Sequence, residues 1–180
     1  MAESTYLLHH DFNRMLSFSE LTEVTAVYNM AIENANFTIP KFDTLKFMLW
    51  AKREKITFGP YQNLTFFEIS NRIYSDLVLL EAAQILFQYH HIKSIQLKMS
   101  NHSGNDIIVM DKDNKEIIGE AFNTAHSFFQ IKLRSELKKF KDNNTGIIAF
   151  NNSALNDKNK TFLERKKIEF PKVLFIECEI

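Results

Sequence analysis

The apolar residues of this chain change their period once, near Ile92, and that single change limits the folds open to it. Before it the pattern is helical. "SELTEVTAVYNMAIENA" carries a candidate N-cap at Ser19 and sets Leu21, Val24, Val27, Tyr28 and Ile32 on one stripe. Past Pro40, "KFDTLKFMLWAKREKI" repeats Phe42, Leu45, Met48 and Leu49 at helical spacing. "TFGPYQN" reads as a break. A long third helix follows, over about residues 65–89, with a candidate interruption near Ser75.

After the change the period is that of strands. "IKSIQLKMS" alternates apolar and polar, "NHSG" turns the chain, "DIIVMD" is a second strand, "KDNK" a second turn and "EIIGEAFN" a third strand. An amphipathic helix, "TAHSFFQIKLRSELKKFK", then places Phe129, Leu133, Leu137 and Phe140 on its buried stripe. "NNTG" ends it, and a strand "IIAFN", a short helix "DKNKTFLERKKI" and a last strand "KVLFIECEI" complete the order. Such an order predicts an α/β fold, a mixed central sheet flanked by helices, preceded by an N-terminal helical region. The division falls at 1–62 for the helical region and 63–180 for the α/β core, within one domain over 1–180.

Composition supports one folded unit. The chain has 180 residues, enough for one substantial core, and only four Gly and three Pro, too few for linkers. Its formal net charge is zero, so bulk charge makes no general case for nucleic-acid binding. Charge is uneven, though. "KLRSELKKFK" and "KNKTFLERKK" are basic, while Asp106, Asp111, Asp113, Glu116 and Glu120 make an acidic stretch. The single cysteine, Cys178, excludes an internal disulfide and a cysteine-based zinc cluster. No apolar run approaches the ~18 residues of a membrane span, and "MAESTYLLHHDF" shows no secretory leader, so a cytoplasmic protein away from membranes is expected.

Two acids stand out by position. Asp106 opens the second strand of the meander, and Glu120 lies late in the third, between the small residues Gly119 and Ala121. Strand alternation puts Ile118, Glu120 and Phe122 on one face. The small neighbours leave room for a metal, a helix or a substrate backbone. For Asp106 the plain alternative is an ordinary turn residue after Gly-Asn.

These residues, set in this order of elements, resemble the PD-(D/E)XK nuclease superfamily, the fold of many restriction endonucleases. That family has a helix, a three-strand meander, a helix and a strand, with an Asp at the start of the second strand and a Glu-x-Lys on the third. The resemblance covers about Leu77 to Phe150. It implies Mg²⁺-dependent cleavage of double-stranded DNA, with Mn²⁺ as substitute, Asp106 and Glu120 as metal ligands, and a homodimer matching the symmetry of its target. Phe122 stands where the family has its lysine. Lys132, on the border of the helical stripe, is the preferred replacement, with Lys98 second and His126 third. Loss of catalysis, with the fold kept for binding, is the alternative. The acid that the preceding helix often contributes is assigned to Glu81, in the apolar "DLVLLEAAQILF", with Glu68 in reserve.

Other chemistries find little support. Asp111 and Asp113 lack the twelve-residue calcium-loop pattern and read as a hairpin turn. The histidines form no i, i+4 zinc pair, and there is no G-x-S-x-G. The N-terminal helices carry no motif, which leaves dimerisation or sequence reading as their expected tasks.

Overall fold

Ser17, rather than Ser19, starts the first long helix. The Glu20 N–H donates to Ser17 Oγ, and Glu20 Oε2 accepts from the Ser17 N–H at 2.8 Å, a reciprocal capping box. The computed structural model describes residues 5–36, 38–41, 43–101, 104–140 and 145–180. Within them, a short α1 (His9–Phe12) precedes α2 (Phe18–Glu33) and α3 (Thr44–Arg53), the last capped by Asp43. Phe42, and residues 102–103 and 143–144 of two expected turns, lie outside the described residues.

The expected break at "TFGPYQN" is instead the heart of a two-stranded hairpin, β1 (Lys55–Phe58) and β2 (Tyr61–Thr65). Gly59 turns it at φ +52°, and a Cβ there would meet the Ala31 carbonyl oxygen at 2.8 Å, so the turn lies hard against α2. The N-terminal region is therefore not purely helical, and a boundary at residue 63 cuts through β2. α4 (Phe66–Phe87) starts from a second capping box, Thr65 with Glu68, and runs through Ser75 unbroken.

Five strands form the main sheet in the order β3 (Ile92–Leu97), β4 (Ile107–Asp111), β5 (Glu116–Phe122), β6 (Gly146–Asn151) and β7 (Val173–Cys178). β3, β4 and β5 are an antiparallel meander, whereas β5, β6 and β7 run parallel. The β4–β5 turn is closed by Asp111 Oδ1, which accepts from the N–H groups of Asp113 at 2.9 Å and Lys115 at 2.8 Å. This is the expected hairpin turn. The fold is thus α/β, a mixed five-strand sheet and a two-strand sheet flanked by helices.

Each face of the sheet has its own core. α4 and the N-terminal segments cover one face, with Val78, Ala82 and Leu86 over Ile95, Ile107, Val109 and Ala149. α5 (Phe129–Leu137) and α6 (Asp157–Glu169) cover the other, where Phe129, Leu133, Leu137 and Phe140 pack with Phe122, Ile148 and Phe150 as the stripe predicted. On this second face Gln96 of β3, Lys98 just past its end, and Ile108 and Met110 of β4 are only half-buried. α3 departs from its stripe: Leu45, Met48 and Leu49 face outward, and the helix docks through Phe47 and Trp50 against Phe66. Among the described residues no helix is long and apolar enough to cross a membrane.

Candidate active site

The β4–β5 ladder pairs Ile107 with Gly119, so one further step puts Asp106 opposite Glu120. Asp106 Oδ2 accepts from the Ala121 N–H at 2.9 Å, and its carboxyl group is near enough to that of Glu120 for each to influence the other's ionisation. Burial raises the pKa of Asp106 above the usual carboxylate range, with the Ala121 N–H acting in the opposite direction. Glu120 is only 3% exposed. Its burial, joined by the Asp106 charge and resisted by Lys139, pushes it up to about 7. The two acids do not ionise independently, and the Asp106 charge adds to the rise that burial causes at Glu120.

The cation beside them is Lys139, which the sequence reading had not singled out. Its Nζ is 2.8 Å from Glu120 Oε2 and 2.7 Å from Glu136 Oε2. It sits in the 3₁₀ turn Lys138–Phe140 that follows α5. That turn is anchored by Phe140, whose ring occupies the space a side chain at Gly146 would need. Burial works against the Lys139 charge, but its two acidic partners outweigh it and lift it to about 12. Glu136 in turn accepts Lys132 Nζ at 2.7 Å. Although burial opposes it, the two lysines hold Glu136 below the usual range. A line of alternating charge therefore runs Lys132–Glu136–Lys139–Glu120, from the outer side of α5 to the sheet, and ends on the second acid, Asp106. The clue in the sequence was Glu136, an acid between Leu133 and Leu137 on the buried stripe of α5.

The remaining candidates lie elsewhere. Lys132 is linked to Glu120 only through Glu136 and Lys139, so it supports Lys139 rather than replacing the motif lysine. Lys98 is opposite Asp106 along the backbone, where its N–H donates to the Asp106 carbonyl at 2.9 Å, but its ammonium lies beside Gly104. His126 is exposed ahead of α5. Glu81 is on α4, across the sheet, where its charge, second to burial, helps raise the Cys178 thiol of β7 to about 12. Glu68 caps α4 and pairs with Lys55 at 2.8 Å.

Phe122 is fully committed to packing, its ring 5.8 Å from Phe150 and 6.1 Å from Phe129. The room expected over Gly119 is likewise filled, since an added Cβ would meet Ile147 Cβ at 2.9 Å and Ile107 Cβ at 3.2 Å. A further acid escaped the sequence reading. Asp76 of α4 is 0% exposed and reaches toward the chain between β3 and β4.

Among the described residues no three His, Cys, Asp or Glu side chains group as a metal site. The Asp106–Glu120 pair still suits one hard cation. Mg²⁺ takes one or two carboxylates and completes its shell with water and phosphate oxygens, and a divalent charge would offset the cost of holding two ionised carboxylates in a buried place. A groove of about 570 Å³ lies elsewhere, between α2 and α4, lined by uncharged residues such as Phe18, Thr25, Asn29 and Phe87. No family model, curated protein or solved structure matches the chain.

Proposed function

We propose that this protein is a metal-dependent endonuclease of double-stranded DNA, most simply a restriction endonuclease built on a PD-(D/E)XK-like core. The observation that carries the reading is the pairing of Asp106 with Glu120 where β4 begins, with a lysine ammonium 2.8 Å from Glu120. The order of helix, antiparallel meander, helix and parallel strand supports the core assignment. Asp106 and Glu120 would hold Mg²⁺, or Mn²⁺ in its place. The ion would neutralise charge on the scissile phosphate and lower the pKa of its water.

Lys139 takes the part that the motif lysine would have, reaching Glu120 from the end of α5 instead of from β5. Held protonated, it donates to oxygen and does not abstract a proton. It is suited to orienting water and to opposing charge on phosphate oxygens. Glu136 and Lys132 fix its approach. Arg134 and Arg165, stacked over the Phe162 ring at 4.8 and 5.6 Å, begin a basic surface on α5 and α6 along which phosphates could run. A cytoplasmic homodimer, its twofold axis matching that of the target, belongs to the same proposal.

A second reading, a degenerate module that binds DNA or a protein partner, draws on the sealed Phe122 and on Lys139 already spanning two acids. Incubation of the purified protein with a varied DNA pool in Mg²⁺ or Mn²⁺ separates the two. Cleavage lost in Asp106→Ala and in Glu120→Ala supports the enzyme. DNA affinity without cleavage, indifferent to chelator, supports the module.

A further inference from the structure

We propose that Asp76 is the positioning residue of this site: it grips the Ser100 turn from α4 and so sets the segment that delivers Asp106 opposite Glu120. The inference rests on reading Asp106 and Glu120 as a functional pair. Asp76 Oδ1 accepts from the Ser100 N–H at 2.6 Å, and Oδ2 accepts from the Tyr61 hydroxyl at 2.6 Å. Tyr61 is itself 3.0 Å from the Tyr28 hydroxyl, which ties α2, β2 and α4 into one buried chain.

The residue so gripped is unusual. Ser100 has φ +59°, ψ +39°, a left-handed conformation that a residue with a side chain adopts only when its surroundings over-determine it. Here they do. Asp76 takes the Ser100 N–H, while Arg72 Nη1 donates to the Ser100 carbonyl at 3.2 Å and to Oγ at 2.7 Å. Ser100 lies between Lys98 and Asp106, which form the last backbone contact of the β3–β4 pair. Past that contact Ser100 is held by Asp76 and Arg72, from α4, and not by a partner across the sheet. A carboxylate in so dry a place would be costly as packing alone, since an apolar residue fills space without the burial penalty. A rigid polar network that fixes one loop geometry gives it a purpose.

The Ala121 N–H tests this, because its acceptor is the Asp106 carboxylate. In Asp76→Ala, amide hydrogen exchange at Ala121 should accelerate about tenfold while Ile148 and Ala149, in the parallel ladder, stay protected. Asp76→Asn keeps an oxygen for Ser100 and should restore Ala121. Unchanged exchange at Ala121, or equal acceleration at every amide, would overturn the proposal and leave Asp76 a general stabiliser. If Asp76→Ala does not fold, Asp76→Asn and Asp76→Glu decide: the longer Glu should lower Ala121 protection relative to Asn, and equal protection overturns the idea. These rates need neither metal nor DNA, so absent cleavage and absent coupling are separate results.

Discussion

Asp76 and Glu120 are buried acids near the same end of one sheet, and they meet burial in opposite ways. Asp76, on the α4 side, is satisfied by neutral donors, the Ser100 N–H and the Tyr61 hydroxyl, and has no path to solvent. Glu120, on the α5 side, faces a second carboxyl group and a lysine whose side chain is half exposed. Burial raises both to about 7. Similar pKa values therefore conceal different designs. One acid is closed by two neutral donors with Arg72 nearby, and the other is left with a like charge and one half-exposed cation, which is an arrangement that a metal ion could complete. Burial alone does not mark a reactive acid; the nature of its neighbours does.

The comparison breaks first at cleavage. Glu120→Gln should lower DNA cleavage in Mg²⁺ by roughly 10²–10³-fold or more, as removal of a group that stabilises reaction charge does, whereas Asp76→Asn should cost less than about tenfold. Equal losses would erase the distinction. Lys139→Met should separate binding from chemistry. With the competing ammonium gone, Mn²⁺ affinity by calorimetry should rise, while cleavage falls by roughly tenfold or more. A loss of Mn²⁺ affinity would show that the lysine organises the acids rather than competing for them.

Stability against pH sharpens the contrast. Both acids have folded pKa values raised above their unfolded ones, so the native state binds more protons between about pH 4 and 7. Their contribution is fully present below the unfolded pKa and is lost as pH rises toward 7. Each group can account for a slope of up to about 1.4 kcal/mol per pH unit in that window. Urea unfolding at several pH values should show a shallower slope in Asp76→Asn, and less change in Glu120→Gln, since the Glu120 rise to about 7 starts from a higher ordinary value. Smaller still, Lys132→Ala should alter stability by less than about 1 kcal/mol, since its ammonium is largely hydrated.

Much of the second half was legible because alternation and turn chemistry are local. Ile118, Glu120 and Phe122 share a face by pleat alone, and Asp106 opposes Glu120 once "KDNK" closes the hairpin. Lys139 was not legible, because its place depends on Phe140 meeting Gly146, two residues joined only by the fold. Asp76 and Glu81 lie in one helix that is apolar nearly all round, so hydrophobic period could not tell which acid faces inward. "TFGPYQN" carried genuine turn residues, but the short flanking strands pair across them and turn a break into a hairpin. The α3 stripe has helical spacing whether or not anything covers it, which is why Leu45 and Met48 gave no warning of their exposure.

Gly119 carries a consequence beyond its own position. Directly behind Glu120, Ile107 and Ile147 close over it so tightly that even a methyl group would act as a wedge between β4 and β6. The spacing of the strands that carry the two acids is therefore sensitive to packing on the greasy side of the sheet. Substitutions among those isoleucines, chemically inert themselves, would be felt by the acids in front of them through the strands they share.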